Sequence, residues 1–294
     1  MVSRKPSKVH PTQGFQQTPV ILAMRWVSQA IASILRLHGK SRWSNEFIQS
    51  LDPSMSVSVP EIADDPADVL WFRTGHGRLF WRVSETPGLE KITNKWIASF
   101  AQEDVFFDVG ANIGLYSMAA SKYRHARTIA FEPDLMNARL LYENILVNQL
   151  SRVVTVLPVA LDSASKLGEF HLKTLSYGDA LHNLGSPSRY AQRTTGFVAS
   201  VPVFTLDDVV RILRLPTATR IKIDVDGREI AVLAGATETL KTVKDVLVEV
   251  DLDSIEASEL ERLMVDHGFS LVLESEPHVS WNRCVERLYS RLGE

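Results

Sequence analysis

The chain of 294 residues has a single cysteine, Cys284, which excludes an intramolecular disulfide and a thiolate metal cage. It also lacks a long apolar run. The most apolar early stretch is broken by Arg25, Gln29 and Arg36, so no membrane-spanning segment is expected. Charge of one sign is missing too: 32 Lys+Arg face 35 Asp+Glu, a formal net charge of -3. That balance argues against wrapping nucleic acid or coating an anionic membrane, and no nucleic-acid partner is expected. Gly 15 and Pro 13 are too few for a collagen-like or low-complexity chain. What is present, 45% hydrophobic and 23% charged residues, is enough apolar side chain for a large core, and the lone thiol suits a cytoplasmic compartment.

The first residues, 1–17, are polar and read as a flexible tail. Thr18 and Pro19 then offer a helix start and Gly39 a stop, with Val20, Met24, Val27, Ile31 and Leu35 on one face between them. This amphipathic helix, 19–38, is expected to pack on its own domain, or to serve weak membrane-surface contact or self-association through its basic flank. The stretch from Leu51 to Asp68 is acidic, contains Pro and Ser, and reads as a linker. Val69 to Phe72 and Leu79 to Val83 flank Gly75-His76-Gly77, the pattern of a β-hairpin. A helix from about Leu89 to Phe100 follows, closing an N-terminal extension over 18–100.

From 101 to 294 strands and helices alternate, which predicts a mainly parallel sheet covered on both faces, with ligands at the C-terminal strand ends. The strand Val105 to Asp108 runs into Val109-Gly110-Ala111-Asn112-Ile113-Gly114 and a helix. A second strand, Thr128 to Phe131, ends on Glu132, about 18 residues beyond Gly114, where nucleotide-binding sheets carry the acid that accepts ribose hydroxyls. The dinucleotide fingerprint Gly-x-Gly-x-x-Gly is absent, and Asp108 would repel a pyrophosphate, which disfavours a nicotinamide-dependent oxidoreductase. S-adenosylmethionine carries an ammonium and a sulfonium that an acid at the first strand end favours, while the helix N-terminus suits its carboxylate.

The runs Val105 to Ser117, Ala130-Phe-Glu-Pro133, Val159-Ala-Leu-Asp162, Thr205-Leu-Asp207 and Ile221-Lys-Ile-Asp-Val-Asp-Gly227 resemble, in this order, the FkbM family of methyltransferases, over roughly residues 100 to 292. The resemblance implies a class I, Rossmann-like methyltransferase fold: a mostly parallel seven-stranded sheet with helices on both faces, here behind a helical and hairpin extension. It implies S-adenosylmethionine as methyl donor and, as acceptor, a hydroxyl of a small metabolite, a sugar or glycan, or a polyketide-like molecule. It further implies that Asp108, Gly110, Asn112 and Gly114 hold the methionine part, Glu132 the ribose, and Asp162 the adenine. The family has Glu more often where this chain has Asp226, and a small or apolar residue at Arg228. A non-catalytic scaffold that associates through helix 19–38 is the other reading.

Several smaller expectations complete the pattern. Val153 to Leu161 reads as one strand. Leu135, Ala138, Tyr142 and Ile145 form the buried stripe of the helix after Pro133 and Asp134, and Arg228 to Lys241 reads as one helix with Ile230, Leu233, Ala234 and Leu240 inward. A poorly acidic hydroxyl needs a group to take its proton. Asp224 and Asp226 end the strand beginning at Ile221, and alternation puts them on opposite faces unless the strand has turned. They are a weak pair for a divalent cation, and no metal is assigned. His182, in a long polar insertion, and Glu249, at the end of Val246-Leu-Val-Glu, are the other candidates for base or acceptor contact. His267 and Cys284 read as structural, the latter as a core residue, and Ser270 to Leu273 and Val285 to Tyr289 as the last strands.

Overall fold

The computed structural model describes residues 54–291, except 66, 74–78, 80–82, 84–89, 174–177, 179, 181, 186–196, 253–255 and 278–283. The expected tail 1–17, the helix 19–38 and the Gly75-His76-Gly77 turn therefore lie outside the described residues.

The extension begins with β1 (Ser54–Val57) and β2 (Leu70–Arg73), then α1 (Lys91–Ala98). The main domain continues with β3 (Val105–Val109), α2 (Leu115–Tyr123), β4 (Arg127–Phe131), α3 (Leu135–Val147) and β5 (Val154–Leu157). A smaller sheet follows from β6 (Ala160–Leu161), β7 (Lys166–Leu172), β8 (Asn183–Leu184) and β9 (Phe197–Phe204). The chain then returns through α4 (Leu206–Leu213), β10 (Arg220–Ile223), α5 (Glu229–Ala234), a 3-10 turn (Thr239–Thr242), β11 (Asp245–Asp251), α6 (Glu256–Asp266), β12 (Phe269–Glu274) and β13 (Cys284–Arg291).

The main sheet has 7 strands in the order β12-β13-β11-β10-β3-β4-β5. Neighbours from β5 to β11 run parallel, and only β13 opposes them. This is the class I methyltransferase arrangement expected from the motifs. Chain order reverses between β3 and β10, so the loops leaving these strands diverge and open a crevice at their C-terminal ends.

Alternation sorts the strand residues onto two faces. Phe107, Val109, Ile221, Ile223, Val246 and Val248 pack with Leu206, Val209, Val232, Leu233 and Leu260 of α4, α5 and α6. Phe106 and Leu247 pack on the other face with Trp96, Ile97, Tyr116, Met118 and Ala119 of α1 and α2. The rings of Trp96, Phe100 and Phe106 meet edge-on at 4.8, 5.8 and 5.4 Å, which seats the extension on the sheet.

Several local expectations are corrected. β2 does not pair with a strand over 79–83: it pairs antiparallel with β1, inside the stretch read as a linker. Its other edge is held by side chains of α3 and the residue after it, Arg73 N donating to Asn144 Oδ1 at 2.8 Å and Trp71 N to Asn148 Oδ1 at 2.9 Å. Leu79 and Val83 are helical and buried, four residues apart on one face. The same amides rotate α3: Asn137, Ala138, Leu141, Asn144 and Ile145 are buried, whereas Leu135 is 66% exposed and Tyr142 46%. The strand expected over 153–161 splits into β5 and β6, β6 leaving for the smaller sheet beside β9. The helix expected from Arg228 ends at Gly235, where a Cβ would lie 2.4 Å from the Asp162 carbonyl oxygen, and Ala234 faces outward. Cys284 is half-buried at the start of β13.

Candidate functional site

The turn after β3 is built for close approach. Gly110, Asn112 and Gly114 take φ values of 88°, 49° and 88°, a region that favours glycine. A Cβ on Gly110 would stand 1.9 Å from the Asp224 carbonyl oxygen, so the turn presses directly on the end of β10. One on Gly114 would lie 2.0 Å from Leu141 Cδ1. Gly110 and Ala111 donate to the Phe131 carbonyl, each at 3.0 Å, tying the turn to the end of β4.

Glu132 secures the same turn. Its buried carboxylate accepts from Asn112 N at 2.7 Å and from Asp134 N at 2.9 Å. A carboxylate is an acceptor, which is what hydroxyl groups require of a partner. Asp134 also caps α3, accepting from Met136 N at 2.8 Å.

Beneath the turn, Asp108 is buried and accepts from Ser117 Oγ at 2.5 Å. Burial pushes its pKa up against the pull of Lys222. Lys222, its cross-strand partner on β10, is 3% exposed and was not singled out from the sequence. Its ammonium donates to Asp224 Oδ2 at 2.7 Å and lies 5.3 Å from the centre of the Tyr116 ring. Burial works against that charge, yet the attraction of Asp224, Glu90 and Asp108 raises its pKa above the ordinary lysine value.

Asp224 and Glu249 come together. Each stands one residue past the paired Ile223 and Val248, at neighbouring strand ends. Burial first, then the charge of Asp224, raises the pKa of Glu249 well above the carboxylate range.

Asp226 takes another path. Its φ is 55°, so the strand has turned, and its carbonyl accepts from Asn183 Nδ2 at 3.3 Å. The turn is held by Glu229, another acid the sequence reading passed over, whose Oε1 accepts from Gly227 N at 3.0 Å and Val225 N at 3.3 Å. Burial raises Glu229 to about 7.

Asp162 and His182 are engaged elsewhere. The fully buried Asp162 carboxylate accepts from Ser163 N at 2.9 Å, from Lys166 Nζ at 2.7 Å and from Arg228 Nη2. Burial opposes its charge, but Lys166, Ser163 and Arg228 outweigh it and hold the pKa below the ordinary value. The basic residue that departs from the family pattern thus neutralises this acid. His182 Nδ1 accepts from Lys173 N at 2.9 Å, which places the ring proton on Nε2. Nε2 stands 3.1 Å from Asp134 Oδ2 without an aligned hydrogen bond. The ring lies 5.9 Å from that of Phe170, in the packing of the smaller sheet. With Nδ1 occupied and Nε2 protonated, the neutral ring has no free lone pair, so the expected role of His182 as base is not carried forward.

A model of the methyltransferase FkbM domain matches residues 108–271, more than half of the chain and all of the crevice just described. The chain belongs to the FkbM methyltransferase family. This FkbM-family methyltransferase is 25% identical over 200 residues to the hexuronic acid methyltransferase AglP of Haloferax volcanii, covering 66% of this chain and 76% of that one. It is 28% identical over 197 residues to the 31-O-demethyl-FK506 methyltransferase FkbM of Streptomyces tacrolimicus, covering 59% and 75%. Among solved structures, the METTL16 MTase domain aligns at TM-score 0.46 and 13% identity over 72% of this chain and 70% of that one. M. jannaschii TYW2 in complex with AdoMet aligns at TM-score 0.42 and 14% identity over 76% and 83%. Among the described residues, no helix is long and apolar enough to cross a membrane.

Proposed function

We propose that the chain is an S-adenosylmethionine-dependent O-methyltransferase acting on a hydroxyl of a small-molecule or glycan acceptor. The observation that carries the donor assignment is Glu132, buried at the end of β4 and fastened through Asn112 to the glycine turn after β3. The residues present fit the ligand: the Glu132 carboxylate suits ribose hydroxyls, and Asp108 is a negative group for a cationic methionine end. Gly110, Asn112 and Gly114 shape the backbone that would lie against it. Asp162, already neutralised by this chain's own cations, supports the adenine side as an anchored strand end. When bound, S-adenosylmethionine supplies an electrophilic methyl group on a sulfonium.

The chain's contribution is to place a hydroxyl and receive its proton. Asp224 has one oxygen fixed by Lys222 and lies at the strand end nearest the glycine turn, where it can orient an acceptor hydroxyl. Glu249 backs it, and Asp226 and Glu229 shape the turn beyond. Positioned carboxylates of this kind contribute about 10²–10⁴-fold as general bases. The two relatives named for a hexuronic acid and for an O-demethyl compound favour oxygen over nitrogen as the methyl acceptor. The test is to incubate the protein with methyl-labelled S-adenosylmethionine and a panel of hydroxylated metabolites, uronic acids and glycans. Label on oxygen, lost in a folded Asp224→Asn variant that still binds donor, supports the reading. Label on nitrogen, or none with any acceptor, refutes it.

A further inference from the structure

Asp162 and Arg228 form an ion pair whose two members differ in what they present outward. The carboxylate is 0% exposed, with Oδ1 taking Ser163 N and Arg228 Nη2 and Oδ2 taking Lys166 Nζ. Gly235 of α5 packs on the Asp162 carbonyl too closely to admit a Cβ. Both oxygens are thus held by this chain's own groups. The Arg228 side chain, by contrast, is 34% exposed, and its Nε is buried with no hydrogen-bond partner among the described residues, so the protein alone does not satisfy the guanidinium. Arg228 follows the turn at the end of β10 and directly precedes α5, and from there it reaches across to the residue after β6. We propose that Arg228 is the specificity-determining residue at the base end of the donor site: its guanidinium, and not the Asp162 carboxylate, meets the purine edge, so the site takes a 6-oxopurine as readily as adenine.

This rests on the donor reading above. With the ribose at Glu132 after β4 and the methionine end at the glycine turn after β3, the base extends the other way, toward β5, the next strand in the sheet. The chain leaving β5 runs through β6 to Asp162, so the Asp162–Arg228 pair is what the base meets there. A carboxylate would select adenine by accepting from its exocyclic amine. A guanidinium donates instead: on adenine it finds the N7 acceptor, and on a 6-oxopurine it finds O6 and N7 together. Exchange of the amine for an oxygen is therefore a change that a carboxylate refuses and an arginine accepts.

The test is calorimetric titration of the full chain with S-adenosylhomocysteine and S-inosylhomocysteine, the demethylated donor carrying adenine and hypoxanthine. Wild type should bind the two within about threefold of each other or prefer the inosyl compound, and Arg228→Ala should shift the ratio of Kd values toward the adenosyl compound by about tenfold. Asp162→Asn keeps the size of the side chain and an acceptor for Ser163 N, and serves if Arg228→Ala does not fold; it should retain the wild-type ratio, because Arg228 is still in place. A wild-type preference for the adenosyl compound of more than about threefold, a ratio unmoved in folded Arg228→Ala, or a ratio altered in Asp162→Asn overturns the proposal while leaving the donor reading intact. Binding of neither compound by folded wild type strikes the donor reading, and this proposal with it.

Discussion

The two faces of the main sheet are built from the same strands on opposite principles. On the face under α4, α5 and α6, Phe107, Ile221, Ile223, Val246 and Val248 are closed and wholly apolar. On the face under α1 and α2, Phe106 and Leu247 are apolar as well, but towards and beyond the strand ends the positions are Asp108, Lys222, Asp224, Glu249 and, across from Glu249, Glu286. Burial of the first face follows from area removed from water alone. The charged part of the second is stable only while its charges answer one another, because a buried charge without a partner is costly. One face carries the fold, and the other carries the chemistry at some cost to stability.

Adjacent residues on β10 sharpen the contrast. Lys222→Met removes the cation from the charged face and leaves its carboxylates unpaired, so unfolding in urea should show a loss of about 3–5 kcal/mol at neutral pH, shrinking in acid as those carboxyls protonate. Ile223→Val, one position along on the apolar face, should cost about 0.5–1.5 kcal/mol with no such pH dependence. The reverse ranking would break the distinction between the faces. The rotation of α3 is tested the same way: Leu141→Ala should cost about 2–5 kcal/mol, whereas Leu135→Ala should stay within about 0.5 kcal/mol.

A gentler test uses pH. Glu90 and Glu229 have folded pKa values raised from 4.5 to about 7, so between these values the folded chain holds protons that the unfolded chain has released. Stability therefore falls as pH rises across that window. Asp104 and Asp162 work in the opposite sense: their pKa values are lowered, Asp104 by Ala101 N, Thr219, Arg220 and Lys244 against the burial that opposes them. Their stabilisation is complete above the ordinary aspartate range and disappears as pH falls through their folded values. Melting temperature should thus peak in mildly acidic buffer. Glu229→Gln, which keeps an acceptor for Gly227 N, should flatten the decline towards pH 7 and leave the acid limb unchanged.

These faces also explain what could be read from the sequence. Apolar β runs ending on acids and glycine turns are local signals, and β3, β4, the first turn and Glu132 were legible from them. Lys222, Glu286 and Glu90 were not. Along a strand, alternating charge normally marks a solvent face, and nothing local announces that α1 will cover it. Asn144 and Asn148 likewise look like ordinary helix polar residues, yet they occupy the edge of β2 and displace the expected hairpin. Arg228 was visible as a departure from the family pattern, but its pairing with Asp162 spans 66 residues and is set by tertiary packing.

The measurement closest to the central claim is calorimetric titration of S-adenosylmethionine into wild type and Glu132→Ala, with circular dichroism on both. If the end of β4 holds the donor's ribose, wild type should bind and Glu132→Ala should lose about 1.5–3 kcal/mol, roughly 10- to 150-fold in Kd, while remaining folded. An unchanged Kd in folded Glu132→Ala, or no binding by folded wild type, would contradict the donor site described for this methyltransferase.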